Sequence, residues 1–170
     1  MGRRSRLFGG EDDEALWRAA EKHDDPRVRE LLLKDPSSPQ LNRTHASKGT
    51  TPLMAACRKK RHSAADVSRA ALVVQHLLEF GADLGVVDRT EHKNTALHYA
   101  AYANATLAVE YLLHAGANAC ALNGKGHTAL DVARLRGRKQ TAGILTQHLA
   151  VKSGWLELNG VSMLPLWKRR

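Results

Sequence analysis

The sequence Thr-Ala-Leu-His-Tyr-Ala-Ala occupies residues 95–101, and related phrases occupy residues 51–57 (Thr-Pro-Leu-Met-Ala-Ala-Cys) and 128–134 (Thr-Ala-Leu-Asp-Val-Ala-Arg). The phrases at 95 and 128 begin 33 residues apart, and a leucine pair or its remnant follows each threonine by 17 residues. Self-similarity at a fixed period of this length is typical of a solenoid, in which each unit buries its apolar face against its neighbours. The sequence therefore predicts a stack of short repeats.

The residues of each phrase suit a short helix followed by a longer one. The phrase threonine can cap the first helix by accepting a hydrogen bond from a free first-turn amide. Pro52 stands where a proline's missing N–H costs nothing, and Asp131 has the spacing of a capping box. A longer apolar helix then ends at Gly81 or Gly116, where a left-handed backbone is needed. Each unit is therefore predicted to be a helix-turn-helix.

The threonine phrase, with Gly81-Ala82-Asp83 and Gly116-Ala117-Asn118 closing two units, resembles the ankyrin repeat. The resemblance implies an all-α ankyrin-repeat solenoid of four helix-turn-helix repeats with short hairpin turns, plus a short non-helical C-terminal extension. The first repeat is expected to be a cap, because one face of a terminal repeat meets water. The expected divisions are a basic tail at 1–10, repeats at about 11–45, 46–89, 90–122 and 123–149, and a further segment at 150–170.

The second repeat is longer than the others. Its threonine precedes the next phrase threonine by 44 residues, an excess of 11. Ser63 and Asp66 form a capping-box pattern, which predicts one long helix from about Ser63 to Phe80. The stretch before this helix, residues 58–62, is a dense basic run that is either a solvated turn or a binding surface.

Composition limits the class of partner. The net charge of +9 favours an acidic peptide or an anionic lipid. Nucleic acid is disfavoured, because the sequence has no recognisable nucleic-acid-binding motif and few aromatic residues for stacking on bases. Cys57 and Cys120 occupy small-residue positions of the repeat, so we expect two buried thiols and a reducing, cytoplasmic compartment.

The sequence carries no pattern typical of a catalytic or metal site. The nine histidines show no zinc-ligand spacing, and the resemblance implies that His98 bonds to Thr95 and links neighbouring units. There is no nucleophile elbow, and the glycine-rich stretch 123–126 matches the turn between repeats rather than a phosphate-binding loop. We therefore expect a non-catalytic protein without a cofactor or metal.

The C-terminal stretch follows a different pattern. Residues 153–160 alternate like a strand and then turn, and Trp167-Lys168-Arg169-Arg170 follows. This resembles the start of a pleckstrin-homology domain, in which basic residues of the first two strands bind phosphoinositides. The resemblance implies Lys152, Lys168 and Arg170 as lipid-binding residues. The alternative is an apolar tail that packs on the last repeat.

Three functions follow from these patterns. The first is a monomeric, non-catalytic protein–protein interaction module that binds a partner through its concave ankyrin surface. The second is the N-terminal part of an adaptor or lipid-transfer protein, recruited to anionic membrane lipid by a phosphoinositide-binding domain. The third is regulatory, with the repeats restraining an enzyme encoded downstream.

The ankyrin resemblance also implies where the partner binds. Its recognition surface combines hairpin tips with two exposed positions of each first helix. The implied residues are Arg58 and Lys59, Tyr102 and Ala103, Leu135 and Arg136 on the helices, and Lys48 and Thr50, His92 and Asn94, Lys125 and His127 at the tips. This set holds five Lys or Arg, no carboxylate and one aromatic residue. It predicts a basic groove for an acidic segment that carries an apolar side chain.

Overall fold

The computed structural model describes residues 14–36, 38–58 and 64–152, and the backbone of two short strands that follow. The helices within this part are α1 Ala15–Lys22, α2 Asp25–Lys34, α3 Pro52–Arg58, α4 Ala64–Glu79, α5 Ala96–Ala103, α6 Thr106–His114, α7 Ala129–Leu135 and α8 Lys139–Lys152. A 3₁₀ turn at Pro39–Leu41 follows α2, and β1 Glu157–Leu158 pairs antiparallel with β2 Val161–Ser162. The all-α class predicted from the sequence is confirmed.

Helix ends form where the sequence places capping residues. Met54 N–H donates to Thr51 Oγ1 at 3.3 Å, and Asp131 N–H donates to Thr128 Oγ1 at 3.2 Å. Thr128 N–H in turn donates to the Asp131 carboxylate at 2.9 Å, which completes the predicted capping box. Gly81 and Gly116 adopt φ values of 85° and 92°, which end α4 and α6 in the left-handed conformation that glycine accommodates without strain.

The helices stack in two rows. The first helices α1, α3, α5 and α7 pack in sequence, and the second helices α2, α4, α6 and α8 form a parallel row behind them. Leucines from both rows fill the space between, and Leu53, Leu97, Leu112 and Leu145 are fully buried. Each such leucine contributes about 1.5–3 kcal/mol through burial, so the stack is held mainly by apolar packing between repeats.

The turns that connect successive repeats also stack. Arg89 N–H donates to Gly49 O at 2.9 Å, and Gly124 N–H donates to His92 O at 2.6 Å. The side-chain amide of Asn123 donates to Asn94 Oδ1 at 3.0 Å. These bonds join the turns of the second, third and fourth repeats into one continuous layer beside the first helices.

The first repeat is tied to the second by polar contacts of its own. Trp17 Nε1 donates to Thr50 Oγ1 at 3.1 Å, and its indole lies 4.1 Å from the His45 ring. His23 Nε2 lies 3.0 Å from Ala56 O. A terminal repeat has one neighbour only, and these contacts fix its orientation on that neighbour.

Three local predictions have different outcomes. The long second helix of repeat two is confirmed as α4, Ala64–Glu79, while its predicted cap, Ser63, lies outside the described residues. Cys57 is buried as expected. The prediction for Cys120 is wrong, because its backbone forms a tight turn on Asn118 Oδ1 and its side chain is exposed.

One residue of the C-terminal stretch lies in a helix. The pleckstrin-homology resemblance implies Lys152 as a basic residue of the first two strands, but Lys152 is the last residue of α8. The described strands are two residues each and flank Asn159 and Gly160, a pair typical of tight hairpin turns. Lys168 and Arg170 lie outside the described residues.

Candidate functional site: a basic groove across three repeats

A groove of about 580 Å³ runs across the first helices and the stacked turns. It is called the central groove here. Its lining residues come from the end of α3, from α5, from α7 and from the turns before α5 and α7: Arg58, His92, Asn94, His98, Tyr99, Tyr102, Asn123, Lys125, His127, Val132, Leu135 and Arg136. Side chains from three consecutive repeats therefore meet in one cavity.

The central groove brings together eight of the twelve residues implied by the repeat template. These are Arg58, His92, Asn94, Tyr102, Lys125, His127, Leu135 and Arg136. They lie together because the first helices and the turns stack in register.

Four of the implied residues lie elsewhere. Thr50 is only 1% exposed, because its hydroxyl accepts the Trp17 hydrogen bond, so its predicted exposure at the tip is wrong. Ala103 lines a different cavity, of about 500 Å³, where the α5–α6 turn faces α4. Lys48 is exposed but does not line the central groove. Lys59 lies outside the described residues.

An aromatic ring and a guanidinium form the middle of the groove. The Arg136 guanidinium lies over the Tyr102 ring, 4.3 Å from its centroid. Arg138 Nε donates to the Tyr102 carbonyl at 3.4 Å, which ties α5 to the start of α8. A cation over an aromatic face contributes about 0.5–1 kcal/mol at an exposed site. Beside this pair Leu135 is 69% exposed, so the groove offers apolar surface next to positive charge.

The floor of the groove rests on a buried carboxylate that the sequence analysis did not single out. Tyr99 Oη donates to Asp88 Oδ2 at 2.9 Å, and Asp88 also accepts from Thr90 N–H at 2.8 Å and Asn94 N–H at 2.9 Å. Burial opposes ionisation of Asp88, but these hydrogen bonds outweigh it and hold its pKa below the usual range. Burial and the Asp88 carboxylate raise the pKa of Tyr99 to about 12.

His98 connects the groove wall to the next repeat, as the resemblance implied. Its Nδ1 accepts from Thr95 N–H at 3.3 Å and lies 2.8 Å from Thr95 Oγ1, while Nε2 donates to His127 O at 3.0 Å. Burial lowers the pKa of His98, because a charged ring is poorly solvated there. The neutral imidazole is therefore the form that fits.

One carboxylate at the groove edge was missed by the sequence analysis. Glu21 Oε1 lies 3.0 Å from Arg58 Nη2, although Glu21 belongs to α1. Glu21 and Arg58 occupy equivalent positions in the first and second repeats. Each lies seven residues after the first residue of its repeat phrase, Glu14 or Thr51. Extending the template to the degenerate first repeat would have predicted it.

The described residues do not contain a cluster of three or more His, Cys, Asp or Glu side chains that could hold a metal ion. Among the described helices, none combines the length and apolar character required to span a bilayer. What the central groove offers is positive charge, two tyrosines and an aliphatic wall.

The family model "Ankyrin repeats (3 copies)" matches residues 62–154, more than half of the chain. The chain belongs to the ankyrin-repeat family. It is 32% identical over 120 residues to the Arabidopsis thaliana protein named "Putative E3 ubiquitin-protein ligase XBAT35". The match covers 70% of the chain and 24% of that relative.

Two palmitoyltransferases match a shorter stretch. ZDHHC17 of Homo sapiens is 48% identical over 60 residues, which is 35% of the chain and 9% of that protein. ZDHHC13 of Mus musculus is 49% identical over 57 residues, covering 34% of the chain and 9% of that protein. The chain thus spans a quarter or less of the length of these relatives. Its repeats form a protein–protein interaction module of the ankyrin type.

Proposed function

We propose that the chain binds an acidic segment of a partner protein in the central groove, with an apolar side chain of that segment against Tyr102 and Leu135. The observation that carries the proposal is the groove itself. Among the described residues, its lining includes Arg58, Lys125 and Arg136 and no Asp or Glu. Basic groups around apolar surface suit a partner of opposite charge with one apolar anchor.

The two kinds of contact would have separate effects. Arg58, Lys125 and Arg136 attract the acidic segment over a distance of about a Debye length, which is roughly 10 Å at 0.1 M salt. Tyr102 and Leu135 act after the encounter, because apolar area holds a complex once water is excluded. Binding is proposed as the role of these repeats, and catalysis is not part of it. In a longer protein, the repeats would recruit a partner beside an activity located in another segment.

A peptide titration tests this function. The probe is a fluorescein-labelled peptide of glutamates around one central leucine, and its counterpart carries glutamine in place of each glutamate. We expect the acidic peptide alone to bind, and Tyr102→Ala and Arg58→Gln each to weaken it. Tyr111→Ala is the matched control, because Tyr111 lies on α6 outside the groove. Equal affinity for the parent, Tyr102→Ala and Arg58→Gln would show that the groove is not the site.

A second candidate is membrane recruitment through anionic lipid. What supports it is the pair of short antiparallel strands after α8, together with the basic residues Lys168 and Arg170 later in the sequence. We propose Lys152, Lys168 and Arg170 as its lipid contacts. Replacing all three by glutamate should abolish binding to phosphoinositide-containing vesicles, whereas Arg27, Arg29 and Lys34 replaced by glutamate on α2 should not. Equal binding by both triple variants would exclude this segment as the lipid site.

A further inference from the structure

Arg58 does not face the central groove as an unpaired cation. Its Nη2 lies 3.0 Å from Glu21 Oε1, and this ion pair joins the last residue of α3 to α1. The side chains are 39% and 38% exposed, so the pair is reachable from solvent. Exposed ion pairs of this kind are weak, about 0.2–1 kcal/mol in measured cases, so another carboxylate can replace one partner at little cost.

Glu14, the residue before α1, is held away from this position. Its Oε2 lies 3.5 Å from Arg18 Nη2 and 3.1 Å from His45 Nε2. The Arg136 guanidinium lies over the Tyr102 ring, 4.3 Å from its centroid. Within the described part of the chain, Glu21 is therefore a carboxylate that already pairs with a cation of the groove.

We propose that Glu21 competes with the partner for Arg58, so that binding exchanges one carboxylate on the guanidinium for another. The inference rests on the proposed function. Such an exchange preserves the charge pairing of Arg58 when the incoming group is acidic. A neutral side chain would leave the guanidinium with a weaker contact or would leave Glu21 in place. Glu21 thereby lowers the affinity of the groove for acidic segments, and it has little effect on a neutral segment that leaves the Glu21–Arg58 pair in place.

The test is a double-mutant cycle with the acidic and neutral peptides defined above. Glu21→Gln should raise the affinity for the acidic peptide by about two- to five-fold. This is the range expected when an exposed competing ion pair is lost. In the Arg58→Gln background, Glu21→Gln should change nothing. Glu30→Gln is the control for net charge, because it removes the same charge from a pair with Arg27 on α2. It should leave the affinity unchanged.

A second measurement does not need the peptide. Phenylglyoxal modifies accessible guanidinium groups, so the modification rate of Arg58 should rise in Glu21→Gln and stay at the parent value in Glu30→Gln. Melting temperatures establish that each variant is folded.

The outcomes separate the two proposals. If Tyr102→Ala and Arg58→Gln weaken the acidic peptide but Glu21→Gln has no effect or weakens it, the competition is overturned while the groove remains the site. If Glu30→Gln tightens binding as much as Glu21→Gln, general charge explains the gain and the competition is also overturned. Failure of the acidic peptide to bind the parent and Glu21→Gln alike would overturn both proposals.

Discussion

Leu97 and His98 are adjacent in sequence, but they stabilise the stack by different physical means. Leu97 lies in the apolar layer between the two rows of helices and is 2% exposed. His98 is equally buried, and it spans from Thr95 to the backbone of His127 in the next repeat. The first contribution depends on shape and apolar area, whereas the second depends on protonation.

Leu97→Ala should lower the free energy of unfolding by about 2–5 kcal/mol, because the removed side chain leaves a cavity that neighbouring helices fill only in part. Thermal or urea unfolding measures the change. Leu122→Ala is the matched control, since Leu122 is 63% exposed and its loss should stay within about 0.5 kcal/mol. Overlapping curves for Leu97→Ala and the parent would contradict the assigned packing of α5.

His98 should make stability depend on pH. Burial lowers its folded pKa below the ordinary 6.5, so the unfolded chain takes up a proton first as the pH falls. The neutral, buried His98 therefore contributes its full stabilisation above the unfolded pKa. This stabilisation decreases as the pH falls from about 6.5 towards the folded pKa, and below the folded pKa it no longer changes with pH. Urea midpoints of the parent and His98→Gln, measured between about pH 7.5 and pH 5, should converge at the acidic end. A constant difference between the two proteins would contradict a neutral, buried His98.

At the scale of elements, two successive turns approach each other very closely at Gly124. Gly124 N–H donates to His92 O at 2.6 Å, and a Cβ added at Gly124 would collide with the backbone carbonyl of Glu91. In contrast, Gly143 lies within α8, and a Cβ there would meet nothing within 4 Å. The two glycines thus have different physical reasons to be present.

The same substitution should therefore have opposite effects at these two sites. Gly124→Ala should destabilise the fold by about 1–3 kcal/mol, because the obstructing atom is backbone and the two turns must separate. Gly143→Ala should stabilise α8 by about 0.5–1 kcal/mol, because alanine loses less backbone entropy in a helix. Urea unfolding of both variants measures the signs. Equal effects of the two substitutions would show that the turns are not packed this closely.

Elements whose cause is local could be predicted from the sequence. The capping residues and apolar spacing predicted α3, α5, α7 and the extended α4, because those signals act within a few turns of one helix. The exposure of Cys120 and the burial of Thr50 could not be obtained this way. The second depends on Trp17 in another repeat, 33 residues away in sequence. The first follows from a turn on Asn118, a local signal that the small-residue position of the repeat template does not take into account.

The same distinction applies to the candidate site at the scale of the whole molecule. The template predicted most of the groove lining, because stacking repeats carries equivalent positions to the same surface. It did not predict the Asp88 network under Tyr99, since that network depends on which side chains meet between repeats. The Glu21–Arg58 pair was missed because the template position of Arg58 was not carried into the first repeat. Net charge is a property of the whole chain. The value of +9 predicts attraction to acidic partners, but it does not say which surface attracts them.

Binding kinetics can locate that attraction. If the groove steers the acidic peptide, its association rate constant should fall steeply as salt is added, and Arg58→Glu with Lys125→Glu should slow association and flatten that dependence. Arg29→Glu with Lys34→Glu changes the net charge equally but on the exposed face of α2, so its salt dependence should stay close to the parent's. Tyr102→Ala should leave association almost unchanged and speed dissociation, because it removes apolar contact made after the encounter. Stopped-flow fluorescence with the labelled peptide resolves both rate constants. Equal flattening by the two charge-reversal pairs would mean that the peptide responds to the overall field of the molecule, and the Arg58–Lys125 side of the central groove would then have no special part in the encounter.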